Sequence, residues 1–193
     1  TDTIKIALDC GQQAITGLEG RVMDKVSSSD LTSVFASSSG DLYIVDKILS
    51  ALTLPGKPVS PTQFHNSVHN APAGYWSIAA KSTAATTSIA AGENTFSVGL
   101  LEAISQVLVD QRPVLYIAYD IVPPDIFKSH SQLSASFGVA LLLQPELTQW
   151  SVSAEVNISN PSTTVMLNPD LEKLRTANPA ANSLPLLSTL ANK

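Results

Sequence analysis

Residues 60–120 read SPTQFHNSVHNAPAGYWSIAAKSTAATTSIAAGENTFSVGLLEAISQVLVDQRPVLYIAYD, and this stretch decides the fold. A segment of Ser, Thr, Ala and Ile ends in a strand, which is followed by a sharp turn of small residues and then by a helix. After the helix, PVLYIAY is a nearly continuous apolar strand. Continuous apolarity is typical of a central strand covered on both faces. The alternation of strand and helix predicts an α/β domain.

The sequence before this stretch predicts further elements. Residues 31–36 read as a short strand that ends in Ser-Ser-Ser-Gly, and Asp41 is placed to cap the next helix. Residues 62–80 are expected to be helical, with an interruption at the central Pro and Gly. The period of residues 3–26 is ambiguous, because its first apolar residues alternate as in a strand and its later ones suit a helix.

The sequence after this stretch predicts an antiparallel pair and a tail. Residues 134–143 and 149–158 read as two strands joined by a Pro-Glu turn, which indicates a hairpin. We therefore expect one domain over residues 1–158. Residues 159–193, rich in Asn, Pro, Ser and Ala, are expected to form a loose tail with one short helix near residues 170–176.

The composition excludes several classes of function. Hydrophobic residues make up 44% of the 193 residues and charged residues only 14%, which indicates a well-buried protein whose surface includes an interface. A net charge of −5 without any Lys/Arg cluster argues against nucleic-acid binding. The single cysteine, Cys10, excludes an intramolecular disulfide, and no run approaches the ~18 apolar residues of a membrane span. A cytoplasmic location is the default expectation.

The turn at residues 89–94 reads Ile-Ala-Ala-Gly-Glu-Asn and contains no Cys, Ser or Thr nucleophile. Glu93 is its only reactive group, and Asn94 can cap the helix that follows. A carboxylate at a helix N-terminus is favoured by ~0.3–1 kcal/mol at exposed sites. We interpret Glu93 as a partner of the helix dipole, and the alternative is a residual role in decarboxylation or acyl handling.

The other candidate side chains have structural interpretations. His65 and His69 are four residues apart and can share a helical face, but the sequence supplies neither a third ligand motif nor a Cys pair, so we expect no metal and no cofactor. His69 and Asn70 are expected to hydrogen-bond backbone near the turn. His130 is expected at the surface.

Two further residues have reactive side chains. Cys10 is expected to be an inert thiol, because no His lies near it in sequence and no helix begins there. Asp120 ends the central strand, where α/β proteins often place functional groups. We favour a capping role for Asp120 in the loop before Pro123.

Three runs together resemble the β-ketoacyl synthase N-terminal-like family of the thiolase superfamily: SPTQFHNSVHNAPAGYWSIA, SIAAGENTFSVGLLEA and RPVLYIAYD. The flanking runs VFASSSGDLYIVDKIL and SASFGVALLLQ fit the same pattern, so the resemblance covers residues 34–144. It implies half of a thiolase-like fold, a three-layer α/β/α domain with a mixed, mostly parallel sheet. Some members are chain-length-factor-like proteins found with aryl-polyene or fatty-acid-type gene sets.

The resemblance also implies what this chain lacks. In condensing enzymes of the superfamily the turn carries a nucleophilic Cys at the start of a buried helix, and a second half supplies two His, or His and Asn. The matching position here is Ala90, Ala91 or Gly92, and none of these can form a thioester. The chain is also expected to end too soon for a second half. Condensation by this chain alone is therefore not expected.

The leading hypothesis is a non-catalytic ketosynthase-like protein of fatty-acid or polyketide-type acyl chain synthesis, the aryl polyenes included. It would act as partner or chain-length factor of an active ketosynthase, or pair with itself, through the strand at residues 82–91. A charge or proline at Ile89 is then expected to abolish pairing. The alternatives are an acyl-thioester decarboxylase or hydrolase using Glu93 and His69, and an acyl-carrier-protein binding module, which the scattered Lys and Arg weaken.

Overall fold

The computed structural model describes residues 1–17, 27–129, 131–147, 151–153, 155–157 and 164–192. Its strands are β1 (Thr32–Ala36), β2 (Thr86–Ile89), β3 (Val114–Asp120) and β4 (Phe137–Leu143). Its α-helices are α1 (Asp2–Thr16), α2 (Leu42–Thr53), α3 (Pro61–Asn66), α4 (Ala71–Ala79), α5 (Thr95–Asp110), α6 (Asp125–Lys128), α7 (Pro169–Ala177) and α8 (Leu184–Ala191). Short 3-10 helices occupy Ser28–Asp30, Gly92–Asn94 and Pro179–Ser183.

The four strands form one mixed sheet in the order β2-β1-β3-β4. β1 runs parallel to both β2 and β3, with Val34 opposite Thr87 on one side and Tyr116 on the other. β4 is antiparallel to β3. The mixed, mostly parallel sheet expected from the sequence is confirmed.

The central strand β3 is buried along its whole length, and its two faces support two separate clusters. Tyr116 and its neighbours two residues away pack with α5 and the 3-10 helix Pro179–Ser183. Ile117 and its neighbours on the other face pack with α1 and α4. This arrangement explains why PVLYIAY is continuously apolar and gives the three α/β/α layers.

The ambiguous residues at the start of the chain form α1, a helix that covers the sheet. The Thr1 hydroxyl caps it by accepting a hydrogen bond from the Ile4 N–H at 3.3 Å. A Cβ at position 11 would come within 2.9 Å of the Trp76 ring, so glycine at this position lets α1 pack closely against Trp76. Close packing therefore outweighs the weak helix propensity of glycine. Residues 18–26 lie outside the described part of the chain.

The helical prediction for residues 62–80 is right in type but wrong in where it breaks. The interruption falls at residues 67–70, before Pro72 rather than at it. Pro72 stands in the first turn of α4, where an N–H has no intrahelical partner, and Gly74 lies within the helix. The predicted Asp41 cap is confirmed by the bond that its Oδ1 accepts from the Ile44 N–H at 3.1 Å.

The predicted hairpin is wrong within the described residues. Its first strand exists as β4, but β4 pairs with β3, and residues 151–153 and 155–157 belong to no strand. Val152 and Val156 are about half exposed, so the alternating pattern is not matched by a buried face. The remaining residues of the predicted second strand lie outside the described ranges.

The segment expected as a loose tail is instead structured over residues 164–192. α7, which the sequence predicted as a short helix, leads into the 3-10 helix and α8, and Ala180, Ala181 and Leu184 are buried against the sheet layer. Two Asn-Pro pairs start these turns, since the Asn168 and Asn178 side chains both accept backbone N–H bonds. None of the helices in the described ranges has the length and apolarity to cross a membrane.

Candidate functional site

A cleft of about 310 Å³ opens at the carboxyl ends of β1, β2 and β3. Open α/β sheets commonly bind ligands at this edge, because the loops that follow parallel strands meet there. The walls are Ser38, Ser39 and Leu42 after β1, Gly92 and Glu93 after β2, Phe127 and residues 131–133 after β3, and Pro179 from the C-terminal segment.

The turn after β2 is closed by Thr95, the first residue of α5. Its hydroxyl donates to the Gly92 carbonyl at 2.6 Å and accepts from the Ala91 N–H at 3.0 Å. Asn94 stands at the predicted cap position but makes no side-chain cap bond, so the predicted Asn94 cap is wrong. Gly92 has φ of +55°, a conformation that residues with a Cβ rarely adopt.

Glu93 is exposed and lines the cleft, directly before the N-terminus of α5. Its backbone carbonyl accepts a bond from Asn182 Nδ2 at 3.1 Å, which ties the turn to the C-terminal segment. The lining contains this carboxylate and several hydroxyl and amide groups but no Lys or Arg. The described walls therefore favour a neutral or cationic group over a phosphate.

The structure does not bring His69 into the cleft wall with Glu93. His69 lies in the connection between α3 and α4, and its Nε2 is 2.8 Å from the Ser37 carbonyl. His65 is in α3, so the two His do not share a helical face. Asn70 starts α4 without a side-chain cap bond. No group of three His, Cys, Asp or Glu in the described residues is placed to hold a metal.

Asp120 is almost fully buried and serves the turn after β1 rather than the loop before Pro123. Its Oδ1 accepts from the Ser37 hydroxyl at 3.0 Å, the Ser38 N–H at 2.8 Å and the Ser38 hydroxyl at 2.9 Å. Burial raises the pKa of Asp120 to about 6, against the opposing effect of the Ser38 and Ser37 hydrogen bonds. The capping interpretation was therefore right in kind and wrong in its target.

The backbone carbonyl of Asp120, at the end of β3, is hydrogen-bonded to the C-terminal segment. The buried Asn178 side chain donates from Nδ2 to the Asp120 carbonyl at 3.0 Å and to the Ala135 carbonyl at 2.8 Å. Its Oδ1 accepts from the Ala180 N–H at 2.8 Å. Asn178 therefore holds Pro179 at the cleft by satisfying three backbone groups.

Cys10 lies on α1, away from the cleft walls, where it packs against β4. Its Sγ would be 2.8 Å from a Cβ at Gly138. Partial burial, with a smaller effect of Asp9, raises the pKa of this thiol. A raised pKa lowers the thiolate fraction, which agrees with an unreactive cysteine. His130 lies outside the described residues.

β2 is an edge strand of the described sheet. On its paired side, the Ile89 carbonyl accepts from the Ser37 N–H just after β1, and the Ala85 carbonyl just before β2 accepts from the Ser33 N–H. Because the hydrogen-bonding groups of successive strand residues point to opposite sides, the N–H and C=O of Thr86 and Ser88 point to the unpaired edge.

The helix next to this edge is apolar on its outer side as well. α5 buries Phe96, Gly99 and Ala103 against the sheet. Its opposite side exposes Val98, Leu101, Leu108 and Val109 by 40–79%. The Gln106 Nε2 donates to the Thr87 hydroxyl at 3.0 Å and joins α5 to β2.

Residues 22–192 match the family described as the N-terminal domain of β-ketoacyl synthase. The chain therefore belongs to that family, as the sequence runs at residues 34–144 indicated. No curated protein matches the sequence.

Solved structures with the same fold support the assignment. One is the ketosynthase ApeO in complex with its chain length factor ApeC from Xenorhabdus doucetiae; the match has 29% identity and a TM-score of 0.62 and covers 73% of this chain. Another is a β-ketoacyl synthase from Burkholderia phymatum STM815, with 13% identity, a TM-score of 0.61 and 75% coverage, which supports the fold alone. The match spans 56% and 42% of those two chains.

Two parts of the site escaped the sequence interpretation. The sequence predicts Ser37 and Ser38 only as the end of a strand, whereas their hydroxyls donate to Asp120. Asn178 falls in the segment predicted as a tail, and the sequence signal that could locate it is the Asn-Pro pair that begins its turn.

Proposed function

We propose that this protein is a non-catalytic ketosynthase-like subunit that assembles with an active ketosynthase and helps to shape the acyl pocket. The observation that carries this proposal is the turn at the cleft. Its residues keep the strand-turn-helix arrangement of the family, yet Ala90, Ala91, Gly92 and Glu93 offer no thiol or hydroxyl for acyl transfer.

The proposed role is that of a chain-length factor in fatty-acid or polyketide-type synthesis, with aryl polyenes as the specific product class. The similarity to a ketosynthase solved with its chain length factor supports this choice of partner. The proposed site of assembly is the edge of β2 with the outer side of α5. An edge strand offers N–H and C=O groups to a partner strand, and α5, which Gln106 joins to β2, offers exposed apolar side chains on its outer side.

Ile89, the position first considered for a disrupting substitution, is a poor probe of this interface. Its carbonyl accepts from the Ser37 N–H at 3.1 Å, and its side chain packs against the core. The Ile89 N–H points to the same side as this carbonyl, so a proline there would remove a hydrogen-bonding group that faces β1, and a charge would disturb the core.

Ser88 is the better probe, because its N–H points to the unpaired edge. Ser88→Pro removes that N–H, whereas Ser88→Ala removes only the hydroxyl and serves as the matched control. We expect Ser88→Pro to weaken binding to the ketosynthase by about tenfold or more while its unfolding midpoint stays near that of Ser88→Ala. Equal binding by the two variants would exclude pairing through β2.

A further inference from the structure

We propose that Asp120 is a buried proton switch that sets how tightly the turn at residues 37–40 is held against the cleft. The inference concerns the chain alone and is independent of the proposed partner.

The two oxygens of Asp120 have different surroundings. Oδ1 accepts three hydrogen bonds, all from Ser37 and Ser38. Oδ2 is buried and has no hydrogen-bond partner among the described protein groups. Oδ2 can therefore take up a proton while Oδ1 keeps its three donors.

The carboxylate also lacks a counter-ion. None of the ion pairs found in the described residues includes Asp120. Ionisation is then opposed by burial and supported by the Ser38 and Ser37 hydrogen bonds, with a smaller effect of the Ser39 backbone N–H. The protonated and ionised forms of Asp120 therefore differ little in free energy near neutral to mildly acidic pH.

The surrounding elements contribute few titratable groups. On β3 these are Tyr116 and Tyr119, whose pKa values are raised by burial and then by Asp120. The turn at residues 37–40, Phe137 on β4 and the segment at Asn178 contribute none, and the buried Asp41, the cap of α2, directly follows that turn. His69 joins the network through the Ser37 carbonyl, and Glu93 stands on the cleft wall.

The switch reaches the cleft through Ser38 and Ser39, which line it. Hydrogen bonds to an ionised acceptor are roughly twice as strong as neutral ones. Ionised Asp120 therefore holds the Ser38 N–H and hydroxyl more firmly, and the protonated form keeps the same bonds in a weaker form. The Ser37 hydroxyl also accepts from the Gly40 N–H at 3.0 Å, so the whole turn responds.

Ionisation has opposite effects on global and local stability. The pKa in the folded protein lies above the ordinary value of 3.8 for Asp. The contribution of Asp120 to stability is therefore complete below about pH 4 and is lost as the pH rises to about 6. Over the same interval the turn at residues 37–40 becomes more tightly bound. No ordinary surface carboxylate produces this combination.

The test compares the full chain with Asp120→Asn, which cannot ionise, and with His69→Gln, which removes the other titratable group in the network. The urea midpoint of the wild type, relative to Asp120→Asn, is expected to fall between about pH 4 and pH 6. Exchange protection of the Ser38 amide, corrected for its intrinsic rate, is expected to rise severalfold over the same range. His69→Gln is expected to behave as the wild type.

Three results would overturn the switch: a pH-independent difference between wild type and Asp120→Asn, a pH-independent Ser38 protection, or loss of the response in His69→Gln. If Asp120→Asn does not fold, the carboxyl carbon of Asp120 in the wild type is followed by NMR. A midpoint raised well above 3.8, together with the Ser38 response, supports the switch, and a midpoint at or below that value contradicts it.

Discussion

The side chains of Tyr116 and Tyr119 lie on opposite faces of the same buried strand, and their hydroxyls are satisfied differently. The Tyr116 hydroxyl donates to the Phe96 carbonyl at 2.6 Å and fixes the first turn of α5 below the cleft. The Tyr119 hydroxyl is buried without a hydrogen-bond partner among the described residues.

This difference predicts unequal effects of the same substitution. Tyr116→Phe leaves a carbonyl at the start of α5 without this donor and should lower the free energy of unfolding by about 1–2 kcal/mol. Tyr119→Phe removes an unpaired polar atom and should change it by less than ~0.5 kcal/mol or increase it. Urea unfolding of both variants checks this. Equal losses would contradict the assigned bond.

Gly99 fixes the distance between α5 and the sheet. A Cβ at this position would lie 2.8 Å from the Ala36 Cβ and 2.9 Å from the Tyr116 ring. Gly99→Ala should therefore cost about 1–3 kcal/mol through overpacking. Gly74, also within a helix, has no atom within 4 Å of a Cβ, so Gly74→Ala should stabilise by ~0.5–1 kcal/mol. Thermal unfolding should show a lower Tm for Gly99→Ala and a higher Tm for Gly74→Ala. A lower Tm for Gly74→Ala would contradict the open space found around position 74.

Asn178 holds the C-terminal segment on the cleft through its amide. Asn178→Asp keeps the shape but removes both donors and brings a charge toward two carbonyl oxygens, so we expect a loss of about 2–4 kcal/mol. Asn192→Asp, at the exposed end of α8, is the control and should have little effect. Hydrogen exchange should locate the loss in residues 164–192. If Asn178→Asp has the same free energy of unfolding as the wild type, the Asn178 amide does not hold the C-terminal segment at the cleft.

Glu93 distinguishes the proposed subunit from the alternative hydrolase or decarboxylase. Because His69 is bonded to the Ser37 carbonyl and does not line the cleft, we expect Glu93→Gln to leave malonyl- and acyl-thioester turnover at the background rate of the wild type. A wild-type rate well above background that disappears in Glu93→Gln would favour the enzyme.

The central elements could be predicted from sequence because their patterns are local. PVLYIAY has one interpretation as a doubly covered strand, and Asp41 caps α2 through its own backbone neighbours. The family runs also located the turn before α5. These features depend on residues that are near one another in the chain.

The errors involve contacts between distant residues. Asp120 binds serines more than 80 positions earlier, and Asn178 binds carbonyls 43 and 58 positions earlier. The spacing of apolar residues along the sequence gives no indication of hydrogen bonds between residues so far apart. The helical start of the chain likewise depends on the fit of Gly11 to Trp76, and the pairing of β4 depends on the open side of β3.

The most direct test of the proposed subunit is its mass after co-expression with an active ketosynthase, read by light scattering on the purified sample. We predict a stoichiometric complex of the two chains that survives gel filtration, with all thioester chemistry dependent on the ketosynthase cysteine. Recovery of this chain only as a monomer or homodimer beside a free ketosynthase would contradict the proposal.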